Sequence, residues 1–319
     1  MSKVPRLVFH DPAPPETNPP ATLTTPTAIV HSTYDLASPP PKPDSGNWTR
    51  FVCLSDTHQH VFPVPDGDVL LHSGDLTGTG ARDGIKITMD WLCGLPHLVK
   101  IVIAGNHDLT LHRTWYNHHF SRWHRTKEDT RSIRDLVAGK AAREARVVYL
   151  EDEKYEFRTR EDGRKWTVYG SPWSPDFFNW AFNYDRGKEA DKLIAKFPKT
   201  DILLTHGPPY KILDHVSRDM NVGCESLLAR LPELRPRLHV FGHIHEDHGV
   251  QVGEWDARSP DDASLTEDSG EGGDNERTIF VNAANWPAGE RSRQGSRIPF
   301  AGNGFQPVIV DLLDDISDS

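Results

Sequence analysis

A chain of 319 residues has material for one or two domains, and one is the expectation here. Its formal charge of -10 argues against long nucleic acids as partners, because phosphate-backbone binding draws on clustered Lys and Arg. The three cysteines, Cys53, Cys93 and Cys224, are odd in number and widely spaced, which argues against a disulfide framework and for a reducing compartment; with no signal-peptide or membrane-spanning stretch either, the chain reads as cytoplasmic and free of membrane contact.

Residues 1–48 hold 11 of the 25 prolines and few large apolar side chains, too little to offset the entropy of ordering, and are expected to form a disordered Pro-rich N-terminal arm. PPPKP at Pro39–Pro43 is a candidate motif for a protein partner, by docking in the polyproline II form. From residue 49 to 319 the expectation is one folded domain, interrupted by an acidic disordered loop at about 256–278 that carries eight acidic and two basic residues.

Within that domain, short β-branched runs bounded by Gly, Pro or Asp read as strands: FVCL, DVLLH, VKIVIAG, VVYL, WTVYG, DILLTH, LHVFG, TIFVNAA and PVIVDL. GIKITMDWLCGL, KEDTRSIRDLVAGKAAREA and DRGKEADKLIAKF fit helical spacing. Strand and helix alternate and the end turns strand-rich, which predicts an α/β protein with two packed sheets.

Five of these runs lead straight into polar, metal-liganding residue types. FVCL precedes SDTHQH, VLLHS precedes GDLTG, IVIA precedes GNHDLT, DILL precedes THGPP and LHVF precedes GHIHE. Sites of open α/β sheets lie beyond the carboxyl ends of strands, so five such ends can converge, and glycines at 74, 105, 207 and 242 permit close backbone approach. Asp56 with His58, and His243 with His245, stand two apart, which puts both side chains on one side of a locally extended chain. Carboxylates, imidazoles and an Asn amide without a thiolate suit two divalent ions such as Mn²⁺, Fe or Zn²⁺ in a hydrolytic site, with the lone Asp of GDLTG as the bridge.

D-x-H, GD, GNHD, TH and GHxH in this order resemble the calcineurin-like metallophosphoesterase superfamily, over roughly residues 49–313. YGSPWSPDFFNWAFNYDRG, HVFGHIHEDHG and FVNAANW are similar to its metallophosphoesterase-domain-containing, UPF0046-type branch. The resemblance implies a two-sheet β-sandwich flanked by helices and a phosphodiesterase acting on small phosphodiesters such as cyclic nucleotides by attack of activated water. It implies Asp56, His58 and His245 on a first metal, Asn106, His206 and His243 on a second, and Asp75 between them, with His107 facing the phosphate and Asp108 orienting His107. The GD-x-x-DRG arginine of protein phosphatases is absent, which favours a diester over a monoester. A phosphomonoesterase or pyrophosphate hydrolase on the same metals, or a scaffold without catalysis, are the alternatives. Trp173, Phe177, Phe178, Trp180 and Phe182 are read as packing residues before a base-stacking wall. His118, His119 and His124 are read as part of a helix over the site, and His60, His72, His97, His112, His215, His239 and His248 as residues outside it.

Overall fold

The computed structural model describes residues 6–9, 21–44, 46–217, 219–256, 276–289 and 298–314. In chain order the strands are β1 (Arg6–Phe9), β2 (Thr22–Thr25), β3 (Ala28–His31), β4 (Trp48–Leu54), β5 (Val69–His72), β6 (Val99–Ile103), β7 (Val147–Leu150), β8 (Glu153–Phe157), β9 (Trp166–Ser171), β10 (Ser174–Pro175), β11 (Asn183–Tyr184), β12 (Ile202–Thr205), β13 (His215–Val216), β14 (Met220–Asn221), β15 (Leu238–Phe241), β16 (Gly249–Asp256), β17 (Arg277–Asn282) and β18 (Val308–Leu313). The helices are α1 (Arg82–Gly94), α2 (Arg113–His119), α3 (Thr130–Ala138), α4 (Lys140–Glu144), α5 (Lys188–Ile194) and α6 (Glu225–Leu234). Each apolar run expected to be a strand is one, and the segment expected as a single helix after Lys127 divides at Gly139 into α3 and α4.

Two seven-stranded sheets carry the architecture, in the orders β1-β16-β17-β15-β12-β9-β8 and β2-β3-β18-β4-β5-β6-β7. Strands β4 to β7 are mutually parallel, as are β9, β12, β15 and β17. Side chains alternate along each strand, so one face of β4 sends Phe51 and Cys53 into the core between the sheets, where they meet Trp166, Ile202, Leu204 and Val240. Its other face sends Leu54 against Ile85, Met89 and Leu92 of α1 and Ile133 of α3. On the outer side of the first sheet, Leu203, Phe241 and Phe280 lie under Ala190 and Ile194 of α5 and Leu227 and Leu231 of α6. Strands covered on both faces need unbroken apolar sequence, and these have it. The result is the expected sandwich with helices on its outer faces.

The N-terminal segment departs from its reading as a disordered arm. Among its described residues, β2 and β3 form a hairpin, and β3 pairs antiparallel with β18 at the edge of the second sheet, burying Ala28 and Val30. A segment with few apolar residues cannot build a core, but it can complete one already present, for which one alternating apolar face suffices. PPPKP is tied to the body as well: Arg50 donates to the carbonyls of Pro40 at 2.7 Å and Pro41 at 2.8 Å while forking onto Asp311. The acidic loop joins two strands that pair antiparallel, β16 and β17, and its residues 257–275 lie outside the described ones. Among the described residues no helix is long and apolar enough to cross a membrane.

Candidate metal centre

The parallel strands β4, β5, β6, β12 and β15 deliver their carboxyl ends to one place. A bridge between Ser55 and Ala284 splices the two sheets there, and Asn285 donates its N–H to the Ser55 carbonyl at 2.9 Å. Within each sheet, loop-to-loop bonds tie neighbouring strand ends: Asp56 N–H donates to Gly74 O at 2.9 Å, His58 N–H to Asp75 O at 3.0 Å and Gly242 N–H to His206 O at 3.0 Å, while His243 N–H crosses to Asp56 Oδ2 at 3.0 Å. Glycine is required where these loops touch. A Cβ on Gly242 would stand 2.0 Å from Asp56 Oδ2, and one on Gly105 would stand 2.3 Å from Asp75 Oδ1.

The expected ligands converge, but not along extended chain. Asp56, His58, Asp75 and His243 all have positive φ, at 54°, 44°, 52° and 67°. Left-handed turns, rather than two-residue periodicity, aim their side chains inward, a conformation that Asp and His tolerate better than most residues. His245 follows in a single 3-10 turn at His245–Asp247.

Asp56, His58, Asp75 and His245 each offer a donor atom within 4.8 Å of the others. The Asp75 carboxylate is the pivot: Oδ2 is 3.8 Å from His58 Nε2, and Oδ1 is 3.4 Å from His206 Nε2. Its two oxygens therefore face the two expected ligand sets. On the second side, Asn106 Oδ1 is 2.8 Å from His206 Nε2, and the His243 ring centroid is 5.0 Å from that of His206. On the first, His245 Nε2 is 3.1 Å from Asp56 Oδ1.

One short loop orients three of the imidazoles. Nδ1–H of His206 donates to Ser73 O at 2.9 Å, that of His58 to Thr77 O at 3.1 Å and that of His107 to Gly78 O at 2.8 Å. Each ring thereby presents Nε2 inward, as outer hydrogen bonds do for metal-bound histidines. Beneath this loop lies Asp108. Its Oδ2 accepts from Leu76 N at 3.0 Å and Gly105 N at 2.9 Å, and its Oδ1 from Thr77 N at 3.0 Å and Thr77 Oγ1 at 2.9 Å. The expectation that Asp108 orients His107 is thus corrected: its oxygens are committed to loop donors, and Gly78 holds the imidazole.

Charge in the cluster is balanced by imidazoles. Burial pushes the Asp56 carboxyl up, but the hydrogen bond and charge of His245 outweigh it and hold it low. Asp75 likewise lies well below the ordinary carboxylate value, burial being overcome by His206, His107 and His58. His206, lowered by burial and raised more by Asp75, reaches about 9, whereas burial takes His58 down to about 4. Burial and then the Asp75 charge push Asp108 up to about 7. Two low carboxylates, an amide oxygen converging on a protonated nitrogen, and a buried His58 Nε2 with no hydrogen bond fit divalent cations, which would take the place of those protons.

His107 is the most open of the histidines paired with Asp75: its side chain is 30% exposed and Nε2 lies 4.0 Å from Asp75 Oδ2. Aromatic rings surround the cluster, and the packing reading holds for Trp173, Trp180 and Phe182, which join a core cluster, but needs correction for Phe177 and Phe178. Trp180 lies on His107 with centroids 4.2 Å apart, Trp286 stands 5.1 Å from His58, and Phe177 stands 6.3 Å from His243. Phe182 is buried, but Phe177 and Phe178 are 55% and 72% exposed. Trp286 and the three loop carbonyls were not singled out from sequence; a carbonyl leaves no residue signature, while Trp286 sits in FVNAANW, noticed for its resemblance alone. The cluster on and after α2 stays outside: His119 packs on Trp115, and His124 is held by the Tyr116 hydroxyl at 2.6 Å.

Comparison with known proteins places these residues in context. Residues 44–247 match the pattern of the calcineurin-like phosphoesterases. The chain is 40% identical to metallophosphoesterase domain-containing protein 1 of Homo sapiens over 225 residues, covering 66% of this chain and 64% of that one. It is 38% identical over 218 residues to probable rhamnogalacturonate lyase C of Emericella nidulans, covering 67% of this chain and 19% of that protein. A UPF0046 protein of Caenorhabditis elegans is 33% identical over 223 residues, 68% of this chain and 69% of its own length. The chain thus spans somewhat under two thirds of the human relative's length.

Proposed function

The chain belongs to the calcineurin-like phosphoesterase family, and from that premise we propose that it is a phosphodiesterase of small substrates, cyclic nucleotides foremost, using two divalent cations held around Asp75. The observation that carries this reading is the position of the Asp75 carboxylate, one oxygen toward His58 and the other toward His206. Asp56, His58 and His245 would hold one cation and Asn106, His206 and His243 the other, with Mn²⁺ favoured over Fe or Zn²⁺. When bound, such a pair lowers the pKa of water and offsets charge developing on the phosphoryl oxygens.

The chain's own groups do the rest. The carbonyls of Ser73 and Thr77 fix His206 and His58 in the tautomer that presents Nε2. His107, with Nδ1–H committed to Gly78, presents Nε2 on the open side of the cluster, 4.0 Å from Asp75 Oδ2, where in its charged form it donates to a phosphoryl oxygen or gives its proton to the departing alcohol. No thiol competes as nucleophile, since Cys53 and Cys224 are buried in the cores and Cys93 lies on α1. Among the described residues, the ion pairs of Asp56 and Asp75 are all with imidazoles. The GD segment reads GDLTGTG and so lacks the arginine of GD-x-x-DRG, which supports a singly charged diester over a monoester dianion.

The test compares bis(p-nitrophenyl) phosphate with p-nitrophenyl phosphate on protein stripped by chelator and reloaded with Mn²⁺. Diester turnover should require the metal and exceed monoester turnover. Clear preference for the monoester, or full activity of the stripped protein, overturns the reading.

A further inference from the structure

Loop 176–182 is built to expose aromatic rings beside the metal centre. Phe178, Asn179 and Phe182 all lie in the left-handed region, with φ of 56°, 49° and 51°. For phenylalanine that conformation is strained, and such strain persists only when the surroundings hold it. They do so here: Asn183 Oδ1 accepts from Phe177 N at 3.2 Å and Trp180 N at 2.9 Å, and Asp176 Oδ1 accepts from Asn179 N at 3.0 Å. From α2 and the turn after it, Arg122 donates to the carbonyls of Asn179 and Phe178, and Trp115 Nε1 donates to Asn179 Oδ1.

This network does not bury the rings it positions. Phe177 and Phe178 pack edge to face with centroids 4.6 Å apart and remain largely open to solvent, while Phe177 reaches the His243 ring. The exposed aromatics Phe177, Phe178 and Trp286 come from the two segments that touch the cluster's imidazoles. A flat ring is the partner such a surface accepts regardless of the ring's hydrogen-bonding edge.

Building on the phosphodiesterase reading, we propose that Phe177 and Phe178 form the seat for a planar heteroaromatic base carried by the ester's alcohol, which makes nucleotides the substrate class. The phosphate lies toward Asp75 and the base lies on the rim. Trp180, packed on His107, joins this seat to the proton-donating side of the site.

The probes are adenosine 5′-monophosphate and ribose 5-phosphate, which share a sugar phosphate and differ in the base. Calorimetric titration into Mn²⁺-loaded protein should give roughly tenfold tighter binding of the nucleotide. In the double variant Phe177→Ala, Phe178→Ala that advantage should vanish with ribose 5-phosphate affinity unchanged, and Phe177→Tyr should retain it. Equal affinities in the unaltered protein, or an undiminished advantage in the double variant, overturn the seat while leaving the phosphoesterase reading intact. Failure of both probes and of inorganic phosphate to bind defeats the metal centre itself, and the seat with it.

Discussion

Replacing Asp108 by Asn tests whether the loop beneath three imidazoles is held from below. The carboxylate accepts four hydrogen bonds, two at each oxygen, and is fully buried. An amide keeps one accepting oxygen and turns an NH₂ group toward the other pair of donors. If that group faces Thr77, the hydroxyl can rotate to accept, but the Thr77 main-chain N–H cannot. One buried N–H without a partner costs about 1–3 kcal/mol, and the surviving bonds lose their charge assistance. Removing a negative charge beside Asp75 offsets part of the loss, so the net destabilisation should be about 3 kcal/mol, or roughly 5 °C in melting temperature for a chain of this size. Because Ser73, Thr77 and Gly78 orient His206, His58 and His107, metal content should fall along with stability. Thermal unfolding followed by circular dichroism, with elemental analysis of Mn²⁺-loaded protein, reads both. A variant that melts and binds metal normally yet has lost turnover would place Asp108 in the chemistry and refute the loop role.

Gly242→Ala should disturb both ligand sets, since the new methyl would fall 2.1 Å from Ser55 Oγ and closer still to Asp56, while the same residue bonds the His206 carbonyl and leads into His243; metal affinity should drop at least tenfold, and unchanged affinity would show that the loops yield freely. Arg50→Met leaves the buried Asp311 carboxylate without its partner and should cost about 3–5 kcal/mol in urea unfolding, with faster proteolysis around residues 36–44 as the Pro40 and Pro41 anchors go. Burial lowers His97 to about 4 and His239 to about 3, so the unfolded chain takes up their protons first as pH falls. Their contribution to stability is full above about pH 6.5 and is lost from there down toward pH 4 and below. His97→Gln should flatten the melting profile between pH 7.5 and 5.5, and an unaltered slope would remove the assignment.

What could be read from the sequence follows what each element buries. The inner strands are covered on both faces, so FVCL, IVI and ILL appear as unbroken apolar runs. β3 buries alternate residues, Ala28 and Val30, in a proline-rich context, and this weaker pattern was hidden by composition. α6 escaped notice with Pro232 in its last turn. At the site, Asp, His and Asn after strand ends marked residues that do converge, because such side chains carry their chemistry in their type, whereas their division between two metals came from the resemblance alone. The left-handed backbone at Asp56, His58, Asp75 and His243 was not visible, since non-glycine residues adopt it only under loops that meet in three dimensions. The exposure of Phe177 and Phe178 was hidden for a related reason: an aromatic cluster reads as core until the turns that hold it outward are seen.

The place of β18 between β3 and β4 bears on how the protein is made. Synthesis runs from the amino end, so β4 and the hairpin of β2 and β3 emerge early and wait for nearly the whole chain before the strand that joins them leaves the ribosome. Through that interval the flank of β4 is an open template for pairing with neighbours, and closing it requires contacts distant in sequence, which slows folding. Newly made chains should therefore depend on chaperones until the last strand docks.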